Sequence, residues 1–280
     1  MPAATPRFNR RAILIRLIAY PVLFYAAAVA SMYAYQRSLL YFPDAKTYSQ
    51  TYYSVVGFED VTVTTEDGHE LTSWYAPAKP DKKTILVFHG NAGSFHSRAH
   101  DFMPLVNAGY GVMLAEYRGY GGNKGTPTET GLYQDADAYV HYLLDEKGVS
   151  PYTLVLYGES LGTGIATEMA VRYPDISALV LESPFTSMVD ITALHYPYIP
   201  APNLLVRDRY DTISKASQIK MPTLVLYGDH DVVVPGDMSQ QVFDAITARK
   251  DVKIIPNAGH IEVRAHGGLK ALQDFLETLQ

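Results

Sequence analysis

The sequence predicts an α/β domain on a mostly parallel central sheet with helices on both faces, preceded by a separate apolar helix at the N-terminus. Three observations predict it. Short, β-branched apolar runs recur along the chain and alternate with helix-like stretches, as strands do when both sheet faces are covered. A charge-free run, Leu17–Tyr35, follows four arginines. The 280 residues are 48% hydrophobic and 19% charged, globular proportions that exclude disorder, collagen and coiled coil.

Residues 1–16 read as a basic tail carrying Arg7, Arg10, Arg11 and Arg16. As a helix, Leu17–Tyr35 would rise ~28 Å, close to the ~30 Å hydrocarbon core of a bilayer. A transmembrane helix is therefore expected over 17–36, with Pro21 in its first turn, where proline costs least. Tyr33, Tyr35, Tyr41 and Phe42 gather at its far end, like an interfacial aromatic belt. The arginines should stay cytoplasmic, placing the rest of the chain across the membrane: periplasmic in a bacterium, lumenal or extracellular in a eukaryote. A cleaved signal peptide competes with this reading, because Ala28-Val29-Ala30 before Ser31 is an A-x-A site. A buried core helix is a third reading, but a domain rarely opens with a helix apolar on every face.

Residues 41–280 carry 18 basic against 29 acidic side chains. So acidic a domain suits nucleic acid poorly, since that binding rests on phosphate neutralisation, and no nucleic-acid partner is expected. The absence of cysteine excludes disulfides, thiolate metal sites, a cysteine nucleophile and a lipoprotein anchor. Oligomeric state is not written in the sequence.

Residues 37–60 read as a Tyr-rich juxtamembrane connector, and 61–280 as one α/β domain. Val61–Thr65 and Glu70–Tyr75 flank Glu66-Asp67-Gly68, a hairpin pattern. Buried parallel strands are expected at Thr84–Phe88, Val112–Ala115, Thr153–Tyr157, Ala178–Leu181, Thr223–Tyr227 and Val252–Ile255. Thr126-Pro127-Thr128-Glu129 reads as a capping box with proline at N1, opening a helix to about Leu144. Further helices are expected at Leu161–Arg172, Gly236–Arg249 and Val263–Leu279. Residues 183–220 break the alternation and read as a short cap insertion over a site at the sheet edge.

Gly158-Glu159-Ser160-Leu161-Gly162 follows a strand and precedes a helix, the setting of a nucleophile elbow. Side chains flanking the serine would clash in so tight a turn, hence the glycines. As a dinucleotide loop it fails on spacing, since glycines at 158, 162 and 164 do not form G-x-G-x-x-G. Ser160 needs a base. Of His195, His230, His260 and His266 downstream, His260 lies in a loop just after the last strand, whereas His266 is expected inside the final helix. The orienting acid should follow the preceding strand: Asp229 and Asp231 both qualify, with Glu182 and Asp190 as weaker candidates. Upstream, His89-Gly90-Asn91-Ala92-Gly93 ends a strand. The Asn91 N–H, paired with that of Leu161, would make an oxyanion hole, with His89 bracing the loop. His96, His100 and Asp101 could imitate a metal face but lack the Glu of H-E-x-x-H. Neither metal nor cofactor is expected.

Ser38–Asp44 (SLLYFPD), His89–Gly93, Glu116–Gly122 (EYRGYGG), Gly158–Gly162, Glu182–Met188 (ESPFTSM), Gly228–Pro235 and Asn257–His260 together resemble the α/β-hydrolase superfamily. The chain is similar to its membrane-anchored α/β-hydrolase-domain (ABHD) serine hydrolases of the Bem type, from about Ser38 to the C-terminus. That group includes depalmitoylases and lysophospholipid lipases. The resemblance implies an α/β-hydrolase fold and selects Asp231 as the acid, third after the strand-ending glycine. It implies a serine hydrolase that cleaves carboxylic esters or thioesters of lipids or other acyl substrates through an acyl-enzyme. A peptidase or amidase on the same site and a non-catalytic tethered binding protein are the alternatives.

Overall fold

The computed structural model describes residues 10–279, so most of the basic tail, including Arg7, lies outside the described residues. The first element is a 31-residue helix, α1 (Arg10–Leu40). Leu14–Leu40 is long and apolar enough to cross a membrane by length and composition. Because α1 begins well before Leu17, Pro21 sits in its interior, where it removes one i→i−4 hydrogen bond. The segment read as a connector is partly regular. Its first four residues are the last turn of α1, and Phe42–Pro43 form a short strand, β1.

The hairpin is β2 (Glu59–Thr64) and β3 (Glu70–Ala76), paired antiparallel. β2 starts two residues earlier than the apolar alternation suggests, because the Glu59 and Asp60 backbones still find partners in Tyr75 and Trp74. Then come β4 (Thr84–Phe88), β5 (Ala92–Gly93), α2 (Ala99–Asn107) and β6 (Gly111–Ala115). They are followed by α3 (Glu129–His141), β7 (Leu154–Glu159), α4 (Leu161–Arg172) and β8 (Ala178–Glu182). The cap holds α5 (Met188–His195), α6 (Pro202–Leu205) and α7 (Ile213–Ala216). The chain closes with β9 (Thr223–Gly228), α8 (Gly236–Ala245), β10 (Lys250–Ile255) and α9 (Leu269–Glu277).

Eight strands form one sheet in the order β10-β9-β8-β7-β4-β6-β3-β2. It is parallel from β10 to β6, and only β3 runs against the other strands, pairing antiparallel with both β6 and β2. Residues alternate between two cores. Leu154 and Leu156 of β7 pack with α3, α4 and α8, while Val155 and Tyr157 pack with α2 and α9. Each fully buried aliphatic side chain contributes ~1.5–3 kcal/mol, and both faces of the central strands collect it.

Four local expectations shift. The α3 N-cap is Thr128, whose side chain accepts from Gly131 N–H, so Thr126-Pro127 precede the helix. The physical signal is the same, moved by two residues. α8 stops at Ala245 because Lys250 already begins β10. β10 is an edge strand in which only Ile255 is buried, so its β-branched run is not doubly covered. The last helix is broken at His266 and Gly267 (φ +118°). An exposed His266 thus precedes α9, since only glycine adopts that backbone freely.

Candidate active site

The site lies where the carboxyl ends of the central strands meet the cap. β7 ends at Glu159 and α4 begins at Leu161, leaving Ser160 alone in the turn at φ 51°, ψ −115°. That left-handed backbone is uncommon for a residue with a Cβ and holds strain. A Cβ at Gly158 would lie 2.4 Å from the Gly162 carbonyl oxygen, and one at Gly162 would lie 2.0 Å from that of Phe88. Both glycines are therefore demanded by contact. The Ser160 N–H donates to the Glu182 carbonyl at 2.8 Å, which pins the turn to β8.

Three loops converge on the serine. His260 Nε2 lies 2.9 Å from Ser160 Oγ, and His260 Nδ1 lies 2.7 Å from Asp231 Oδ2. The other Asp231 oxygen accepts the N–H groups of Val233 and Val234 at 2.9 and 2.8 Å. Burial alone would push the Asp231 carboxyl up, but the His260 hydrogen bond and charge, with those two N–H groups, hold it below the usual carboxylate range. The remaining acids are engaged elsewhere. Asp229 pairs with the exposed His230 at 2.7 Å. Glu182 binds Arg264 and the Tyr157 hydroxyl, and Asp190 accepts from Thr186 and Ser187.

The loop after β4 supplies the opposite wall. Among the described residues, neither the Asn91 nor the Leu161 N–H has a hydrogen-bonded partner, and both residues line the cavity beside Ser160. His89 Nδ1 lies 2.7 Å from the Gly90 carbonyl oxygen, and its Nε2 lies 2.7 Å from Glu116 Oε1. That carbonyl and the Asn91 N–H belong to one trans peptide, so they point opposite ways. Holding the carbonyl aims the N–H. The Asn91 carbonyl accepts from Phe42 N–H and Tyr120 Oη–H, and its side-chain Nδ2 donates to the Leu40 carbonyl. β1 and β5 pair in parallel at this point. His96 is buried against Phe95, His100 is exposed, and Asp101 pairs with Arg264, so these three do not converge.

Sequence reasoning missed a buried charge cluster behind the elbow. Arg264 reaches Glu159 at 3.1 Å and Glu182 at 2.8 Å, and Arg98 reaches Glu159 at 2.9 Å. Burial opposes ionisation of Glu159, yet Arg264 and Arg98 hold its carboxyl far below the usual range. Burial pushes Glu182 up despite Arg264. The only trace in the sequence is Arg264 four residues after His260. Arg264→Met strands the buried Glu182 and leaves Glu159 to Arg98 alone, and should destabilise the fold by about 3–5 kcal/mol. Urea unfolding monitored by circular dichroism measures it, and a loss below 1 kcal/mol refutes the cluster's role.

A cavity of about 320 Å³ opens from Ser160 between the cap and α1. Val29, Met32, Gln36 and Leu40 of α1 line it, at the three- and four-residue spacing of one helical face. The cap grips that helix. Tyr25 Oη donates to the Tyr198 carbonyl at 2.5 Å, and Gln36 bonds Leu205 O and Arg207 N–H. Arg37 forms a bidentate pair with Asp208 at 2.8 and 3.0 Å.

A doubly covered parallel sheet with a serine elbow at its carboxyl edge defines the α/β-hydrolase class. The chain belongs to the α/β-hydrolase superfamily. The model of the alpha/beta hydrolase fold family matches residues 83–202, and that of the serine aminopeptidase S33 family matches residues 203–262. The chain is 37% identical over 271 residues to an uncharacterised protein of Mycobacterium tuberculosis, covering 93% of this chain and 96% of that one. It is 29% identical over 273 residues to protein bem46 of Schizosaccharomyces pombe, covering 89% and 88%. An esterase of Pyrococcus furiosus shares the fold with a TM-score of 0.66 and 20% identity, over 85% of this chain and 98% of that one.

Proposed function

We propose that this hydrolase is a membrane-anchored serine hydrolase of carboxylic esters or thioesters. The observation that carries the reading is the continuous hydrogen-bonded line Asp231–His260–Ser160 at the floor of an apolar cavity. His260 Nε2 takes the hydroxyl proton as Ser160 Oγ bonds to the acyl carbon. The Asn91 and Leu161 N–H groups receive the oxyanion. The carbon–oxygen or carbon–sulfur bond then breaks, and His260 returns the proton to the departing alcohol or thiol. Water attacks the acyl-enzyme by the same route, releasing the acid and restoring Ser160. Each step is carried by these side chains and backbone N–H groups.

The matched aminopeptidase family favours a second reading, hydrolysis of amides. An aminopeptidase needs a carboxylate for the substrate amine. Among the described residues lining the cavity the acidic side chain is Asp208, and Arg37 already holds it, which favours the ester reading. A fluorophosphonate probe should label the wild-type chain at Ser160, and a panel of acyl esters, thioesters and aminoacyl amides should show the first two hydrolysed fastest. Failure to label sinks the serine mechanism, and preference for the amides transfers the reading to a peptidase.

For attachment we favour the anchor. Cleavage after Ala30 would cut an unbroken helix between two residues that line the cavity, Val29 and Met32. The protein should remain in the membrane pellet through carbonate extraction, with its catalytic domain open to protease from the side opposite the arginines. A soluble product beginning at Ser31 would select the signal peptide, and a cytoplasmic domain would exclude both readings.

A further inference from the structure

The cap contacts α1 at a depth that a merely tethered domain would not reach. Counting from Leu17, ~30 Å of hydrocarbon takes ~20 helical residues and ends near Gln36. Tyr25, whose hydroxyl bonds the Tyr198 carbonyl, then sits only ~12 Å along that path. Either the cap lies in lipid or α1 does not cross.

The cap is built for lipid. Residues 191–206 contain no Asp, Glu, Lys or Arg, and the charged run Arg207-Asp208-Arg209 follows directly. Tyr198 and Leu204 are 56% and 77% exposed. Pro197, Pro200 and Pro202 have no N–H to satisfy, and Ile199, Leu204 and Val206 donate theirs within the cap. Among the described cap residues the Tyr198 and Ala201 N–H groups still lack a partner. Bare donors of that kind are what hydrocarbon penalises, and the cap keeps few of them. The Tyr25 hydroxyl covers one carbonyl that the cap leaves free.

We propose that α1 and cap residues 191–206 lie together in the hydrocarbon, the cap entering from the side away from the arginines, and that the cavity between them takes the acyl chain of a bilayer-resident ester or thioester directly from lipid. The inference rests on Ser160 as nucleophile, because the cavity is continuous with it. The scissile carbonyl sits at Ser160 between Asn91 and Leu161, and the chain runs along α1. Met32 and Tyr33 line the cavity eight and seven residues before Leu40, ~10–12 Å up the helix, about the reach of an eight- to ten-carbon chain. These two residues set which chain lengths fit. Water-soluble esters would enter only by displacing lipid from the same port.

The test uses the full chain in phosphatidylcholine nanodiscs. Leu204→Trp adds one indole to the buried Trp74, and brominated phosphatidylcholine should quench the added emission. Thioesters from butyryl to palmitoyl then measure chain preference. Met32→Trp should lower the palmitoyl-to-butyryl ratio of kcat/KM by about tenfold, the penalty of excess bulk in an apolar pocket. Met32→Ala, which opens the same wall, should raise it and keeps the test valid if the larger residue prevents folding. A ratio unmoved by the Met32 variants, or Leu204→Trp emission quenched no more than wild type, overturns the proposal. Absence of fluorophosphonate labelling in the wild-type chain would instead overturn the serine mechanism, so the two failures are distinct.

Discussion

Ser160→Ala is expected to lower kcat by about 10⁴–10⁶ while leaving the unfolding midpoint close to that of the wild type. The asymmetry follows from where the strain resides. Ser160 holds φ 51° because β7 must turn into α4 within one residue, and alanine meets the same backbone demand as serine. The substitution removes only Oγ and its hydrogen bond to His260. A residual rate over water would come from the oxyanion donors and from binding. Steady-state turnover of a fast ester, with unfolding followed in parallel, checks both halves. More than a few per cent of wild-type activity in purified variant would mean that another group is the nucleophile.

Asp231→Asn should come next, with a kcat loss of ~10⁴ by analogy with the handicapped tautomer of a serine protease whose triad aspartate is amidated. Asp231 Oδ2 faces His260 Nδ1, while Oδ1 is occupied by two backbone N–H groups. An asparagine keeps its carbonyl on those N–H groups and turns its NH₂ towards the imidazole. The imidazole must then accept at Nδ1 and carry its proton on Nε2, the nitrogen that should receive it from Ser160. Asp229→Asn alters only an exposed pair with His230 and should stay within roughly tenfold of wild type, about 1.4 kcal/mol. The reverse ranking would move the role to Asp229, and two mild effects would point to Glu182 or Asp190.

How far the sequence carries depends on whether a feature is local. The elbow is local: Gly158 and Gly162 bracket Ser160, and the contacts that require glycine lie within the turn or on the adjacent β4. The choice between Asp229 and Asp231 is not, because both stand in one loop and only the N–H groups of Val233 and Val234 fix which carboxylate turns inward. The edge position of β10 is likewise invisible, since Val252 and Ile254 read like core residues yet are 37% and 47% exposed. Arg264 reads as a surface residue of a final helix, yet a break at Gly267 turns that segment into the element that buries it between two glutamates. The cavity-lining face of α1 is hidden most completely. A run apolar all round has no periodicity to betray one side, and Val29, Met32, Gln36 and Leu40 become a face only when the cap lies against them.

The bond from the Asn91 side chain to the Leu40 carbonyl bears on how this enzyme can be cut. A shortened version starting after Leu40, the obvious route to a soluble sample, would retain every residue of the Asp231–His260–Ser160 line. It would nevertheless leave the Asn91 amide without its acceptor, Asp208 without its guanidinium, and the cavity open along one side. The N-terminal helix is thus one wall of the cavity beside Ser160, and the shortest chain that keeps that cavity closed begins within or before α1.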